Sequence, residues 1–190
     1  MQVEIIRCLK DNYSYLVIDK QRIPSIDILL EDNQIWKGEN FEAKIIHIPG
    51  HTSGHICFYF IKEKIAFTGD TLFSLGCGRI FEGTYEQMLN SLNLIKTFPK
   101  HTKIYCGHEY TLKNSEFCLK NDEENLKLKE KIILMKEKLS HGTPTIPTTL
   151  KEELECNIFL RSDNELIQKN LNTLNELDTF SKLRDLKDIF

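Results

Sequence analysis

The sequence predicts an α/β fold that gives way to an α-helical C-terminal part. Three observations predict it. Short apolar, β-branched runs punctuated by glycine fill the first two-thirds of the chain. One amphipathic helix, opened by Thr84, interrupts them. Beyond Tyr110 the composition turns to Lys, Glu and Leu, and reads as helices.

The elements follow in order. Val3 to Cys8 and Tyr13 to Asp19 form a hairpin across Asp11-Asn12. Ala43 to Ile48 is a strand, ended by Pro49-Gly50. His55 to Ile61 and Lys64 to Thr68 are strands joined by a tight Lys-Glu turn. Thr84 caps a helix carried by Glu86, Met88, Leu89, Leu92, Leu94 and Ile95. Lys103 to Cys106 is a short strand leading to Gly107. Asn114 to Leu139 is helical, and His141-Gly142-Thr143-Pro144 breaks it. Pro147-Thr148-Thr149 opens a short helix, and Leu166 to Leu186 is largely helical. The Lys/Glu run from Lys120 to Lys138 is expected to be a solvated helix face.

The 190 residues, 41% hydrophobic, suffice for one well-buried domain or one plus a small appendage. A net charge of −3 argues against a nucleic-acid binder, but leaves room for a local basic pocket. The N-terminus lacks a basic n-region and a long apolar core, so no signal peptide is expected. No apolar run approaches the roughly 20 residues that span a bilayer, so no membrane partner is expected either. The six cysteines form no CxxC pair, and free thiols in a cytoplasmic setting are the expectation.

Three segments share one grammar. In PGHTSGH (49–55), FTGDTLF (67–73) and YCGHEY (105–110), an apolar run meets a glycine, and the next residue is His51, Asp70 or His108. Glycine lets a strand end sharply and aim the following side chain into a cleft. Two imidazoles and a carboxylate suit zinc, iron or manganese. Any one of these residues alone reads more readily as a turn residue or cap than as a ligand; the repetition favours a site. His55 falls inside a strand and reads as structural or supporting. His47, His101 and His141 lack the pattern and read as structural or surface residues.

The chain resembles glyoxalase II, the hydroxyacylglutathione hydrolases of the metallo-β-lactamase superfamily. PGHTSGHICFYF (49–60) and FTGD (67–70) fit that superfamily in general. GCGRIFEGT (76–84), CGHEYT (106–111), GTPTIPTTLKEELECNIFLR (142–161) and RDLKDIF (184–190) are more specific to glyoxalase II. The resemblance implies an αββα fold over residues 1–110, incomplete in its N-terminal half, and an α-helical substrate-binding domain over 111–190. It implies hydrolysis of S-(2-hydroxyacyl)glutathione to glutathione and a 2-hydroxy acid, in methylglyoxal detoxification. Two divalent metals are implied, zinc or else iron or manganese, in a monomer with no nucleic-acid partner. His51 matches a ligand of the first metal, His108 a ligand of the second, and Asp70 the catalytic carboxylate that bridges them. Arg79, Tyr110, Arg184 and Lys187 match glutathione-binding residues. Phe81 stands where the family commonly has a tyrosine.

One family motif is missing. The string Thr-His-x-His-x-Asp-His, which the family uses for four metal ligands, does not occur. Its expected place is after the opening hairpin, so the junction near Lys20-Gln21 reads as an internal deletion of about 30 residues or more. An inactive remnant, or a glutathione-binding pseudoenzyme, is therefore the alternative reading. A different hydrolase on the same fold is disfavoured by GCGRIFEGT and CGHEYT.

Overall fold

The computed structural model describes residues 2–8, 12–18 and 30–190. In the two opening segments, only Ile5 has a described side chain. The junction expected at Lys20-Gln21, and with it Asp11 and Asp19, lies outside the described residues.

Strands β1 (Gln2–Cys8) and β2 (Asn12–Ile18) pair antiparallel, as expected for a hairpin. The remaining strands of the β part are β3 (Ile35–Lys37), β4 (Glu42–His47), β5 (Ile56–Phe60), β6 (Ile65–Gly69), β7 (Leu72–Phe73) and β8 (Gly76–Cys77). Helix α1 (Tyr85–Lys96) and strand β9 (Lys103–Cys106) complete it. The helical part holds α2 (Thr111–Asn121), α3 (Leu126–Ser140), the two-residue strand β10 (Thr148–Thr149), α4 (Leu150–Cys156), a 3-10 turn (Ile158–Arg161), α5 (Glu165–Leu171) and α6 (Glu176–Asp188).

The main sheet runs β10-β9-β6-β5-β4-β3. Among the described strands only β6 and β9 pair in parallel, because α1 carries the chain back across the sheet between them. The two-residue alternation of a strand sorts the side chains into two cores. Cys57 and Tyr59 of β5, Ala66 of β6 and Ile104 of β9 point to one face. Phe58 and Phe60, Ile65 and Phe67, and Tyr105 point to the other. The first face meets Met88, Leu89, Leu92 and Ile95 of α1, then Leu150, Phe159, Phe180 and Leu183 of the helical part. One apolar core thus joins the β part to the C-terminal helices. The second face is aromatic, with Trp36 and Phe41 beside Phe58 and Phe60, and Ile5 of β1 packs there.

The caps follow from sequence chemistry. Thr84 accepts from the Gln87 N–H while the Gln87 side chain accepts from the Thr84 N–H. Thr149 and Glu152 repeat this box at α4. Each box satisfies amides that a helix start would leave unpaired.

One expectation is refined and one needs correction. The stretch from Leu166 to Leu186 is two helices, because Asn172 adopts a left-handed conformation (φ 52°) and Asn175 caps α6 through the Asp178 N–H. The polar asparagines are the break itself. The Lys120–Lys138 run is also not all solvated. Lys131 is buried, and its Nζ lies 2.8 Å from Oε1 of Glu153, which is wholly buried. Burial opposes the Lys131 charge, but Glu153 and Glu152 more than restore it, so its pKa ends raised.

Candidate active site

The three expected ligands come together at one rim of the sheet. Asp70 follows β6, His108 follows β9, and His51 lies on the loop after β4. The preceding glycines have identifiable reasons. Gly69 has φ +51°, and any Cβ there would collide with Nε2 of His55. At Gly107 a Cβ would collide with Oδ1 of Asp70. Glycine therefore sets both the turn and the close approach.

Asp70 is the hub. Its Oδ2 lies 3.5 Å from Nε2 of His51, and its Oδ1 lies 3.3 Å from Nε2 of His108. Its backbone N–H donates to Nε2 of His55 at 3.0 Å. His55 is thus the supporting residue expected of it. Burial holds its pKa below the usual histidine value, and a neutral ring accepts that hydrogen bond. Nδ1 of His51 lies 2.8 Å from the Arg79 carbonyl, which fixes its N–H there and leaves Nε2 open toward Asp70. The His51 ring packs on Phe81 at 4.9 Å, while His108 stacks flat on Tyr110 at 4.7 Å. Nδ1 of His108 is buried with no hydrogen-bond partner.

All eight residues expected from the sequence line one cavity of about 550 Å³: His51, Asp70, Arg79, Phe81, His108, Tyr110, Arg184 and Lys187. Sequence reasoning missed Phe73, Cys77, Lys113, Asn114 and Phe190, which also line it. Lys113 was within reach, since it stands one helical turn after Tyr110. Four cations and one carboxylate, Asp70, line this cavity in a chain whose net charge is −3. The local basic pocket allowed by the composition is therefore present. A cavity of about 610 Å³ between α3 and α4 holds none of these residues.

The cations differ in state. Arg184 is 3% exposed; its Nη1 donates to the Cys77 carbonyl and its Nη2 to Asp188. Its Nε is buried and unpartnered. Arg79 is exposed, and its Nε lies 3.4 Å from the same Asp188 oxygen. Lys187 lies over the rings of Phe117 and Phe190 and donates to the Lys113 carbonyl at 3.3 Å. Burial brings its pKa down to about 8.

The donors suit a divalent metal in kind. Imidazole and carboxylate are ordinary zinc, iron or manganese ligands, and His51 is oriented as ligating imidazoles are. They do not suit it in number. Each side of Asp70 offers one nitrogen and one oxygen, whereas catalytic zinc commonly has three protein ligands. Among the described residues, no group of three or more His, Cys, Asp or Glu side chains is arranged to hold one ion.

This fold and this strand-end cluster define a member of the metallo-β-lactamase superfamily. The profile of that superfamily matches residues 9–108, and superfamily membership implies divalent metals. The profile described as "Hydroxyacylglutathione hydrolase C-terminus" matches residues 109–190. A hydroxyacylglutathione hydrolase of Pelagibacter ubique is 49% identical, with all of both chains covered. Another, from Chelativorans sp., is 42% identical over 99% of this chain and 76% of its own length. The chain belongs to the hydroxyacylglutathione hydrolase family, glyoxalase II. Two solved structures share the fold: ETHE1 from Myxococcus xanthus (TM-score 0.51, 18% identity, 87% of this chain and 64% of that one) and a metallo-β-lactamase from Staphylococcus aureus (0.51, 21%, 88% and 45%). The Pelagibacter alignment runs over 251 residues and this chain has 190, so 251 − 190 = 61 positions face no residue here. That accords with a missing internal block.

Proposed function

We propose that the Asp70 cavity binds S-(2-hydroxyacyl)glutathione and is the place where its thioester is hydrolysed to glutathione and a 2-hydroxy acid. The observation that carries this reading is the single cavity lined by all eight expected residues. Glutathione has two carboxylates, and Arg79, Lys113 and Lys187 offer cations to them. Arg184, which the resemblance places among the glutathione-binding residues, supports the pocket wall in this reading. With both terminal nitrogens committed, it orders the Cys77 carbonyl and Asp188, and so the wall beside Lys187.

The residues present divide the work. Phe81 and Tyr110 flank the two imidazoles and narrow the space around the thioester. Asp70 faces the cavity and accepts a proton from water that adds to the thioester carbonyl. The tetrahedral adduct then expels the glutathione thiolate, which takes back that proton from Asp70 as the C–S bond breaks. We place the boundary between the truncated metallo-β-lactamase-type part and the substrate-binding helices at residue 110. Among the described residues, no helix is long and apolar enough to cross a membrane.

Turnover of S-lactoylglutathione by purified protein, with Zn²⁺ supplied in the assay, tests the reading. Hydrolysis that is lost in Asp70→Ala supports it. Folded protein with no turnover at any Zn²⁺ concentration refutes the hydrolytic half.

A further inference from the structure

The donor count at Asp70 has a consequence for how this chain meets its metal. The whole sequence contains six histidines. His51 and His108 face Asp70. Nε2 of His55 is taken by the Asp70 N–H. His47 bonds the Ser53 carbonyl, His141 bonds the Glu137 carbonyl, and His101 is exposed on the turn before β9. No further imidazole is at hand to complete either side of Asp70. Cys77 lines the cavity, but burial pushes its thiol up, and a metal needs the thiolate.

Charge points the same way. Two divalent cations sharing one carboxylate repel each other strongly unless further anionic ligands neutralise them. Among the described residues that line the cavity Asp70 is the only acid, and Arg79, Lys113, Arg184 and Lys187 line the same space. A first ion finds one carboxylate oxygen and one imidazole nitrogen, on the His51 side or on the His108 side. A second finds that carboxylate already shared, Lys113 and Lys187 nearby, and Arg79 and Arg184 balanced between them by Asp188 alone.

We infer that this chain takes up one divalent ion at a time at Asp70, reversibly, in place of a permanently held pair. Four-donor zinc sites bind in the nanomolar range or tighter. Halving the donors places this site at micromolar or weaker, about a thousandfold or more below them. The inference rests on the family reading of the site, but not on its substrate.

The test uses the full chain and Zn²⁺ alone. Metal analysis after dialysis into metal-free buffer is expected to find no stoichiometric metal. Calorimetric titration is expected to saturate at one equivalent, with micromolar or weaker affinity. At least one of His51→Ala and His108→Ala is expected to weaken uptake about tenfold or more. Thermal melting identifies any variant that misfolds, and His51→Gln then replaces it. Two equivalents retained through dialysis, a titration saturating at two, no uptake at millimolar Zn²⁺, or uptake unchanged in both histidine variants would overturn the inference. Binding of S-methylglutathione needs no metal, so failure here and failure of the substrate reading are separable.

Discussion

Replacing Glu153 by leucine tests how the C-terminal helices hold the active-site wall. Glu153 is fully buried on α4. Its carboxylate accepts from Lys131 Nζ at 2.8 Å, the Leu75 N–H at 2.7 Å, Thr148 Oγ1 at 2.7 Å and Asn157 Nδ2 at 3.0 Å. Leu75 lies in the turn between β7 and β8, and Phe73 and Cys77 on either side of it line the cavity. Glu153→Leu removes the carboxylate in contact with the buried Lys131 ammonium and leaves it only the more distant Glu152, a loss of about 3–5 kcal/mol. Set against the roughly 5–15 kcal/mol of a whole domain, that is a large fraction. For a chain of this size it lowers Tm by about 6–20 °C. Removing the charge as well, in Glu153→Leu/Lys131→Met, is expected to recover part of the loss, because an apolar pair replaces an orphaned ion. Urea unfolding followed by circular dichroism measures all three proteins. A single variant within about 1 kcal/mol of the wild type, or a double variant no better than the single, would refute the reasoning.

Other expectations follow from the same contacts. The folded-state pKa of Lys187, about 8, lies below the ordinary lysine value, so its positive charge is lost as pH rises through 8. S-methylglutathione should therefore bind more weakly at pH 9 than at pH 7, and calorimetry should show this dependence flattened in Lys187→Met. The same shift means that burial of Lys187 costs stability below about pH 8, and that the cost is relieved as pH climbs toward the unfolded value. Thr84→Ala removes the α1 capping box and should cost about 1 kcal/mol in urea unfolding. Phe81→Tyr restores a hydroxyl at an exposed ring beside His51, and should tighten S-methylglutathione binding several-fold.

Much of the site was legible because its signals are local. A glycine directly before the ligand, at or shortly after a strand end, marks His51, Asp70 and His108. Strand β9 and the Thr84 cap were readable for the same reason. What stayed hidden depends on partners far along the chain. Lys131 looks like one charge among many until Glu153, 22 residues on, is folded against it. Arg184 looks free until the Cys77 carbonyl, 107 residues away, claims it. The three-residue edge strand β3 carries too little apolar pattern to stand out, and β10 exists only through its pairing with β9.

The central claim is that the cavity holding Asp70 and Lys187 takes the glutathione portion of a thioester. Calorimetric titration of the metal-free protein with S-methylglutathione tests this most directly. Saturable one-to-one binding is expected, weakened about tenfold or more in Lys187→Met. No binding by the folded wild-type protein, or binding unchanged in that variant, would contradict it.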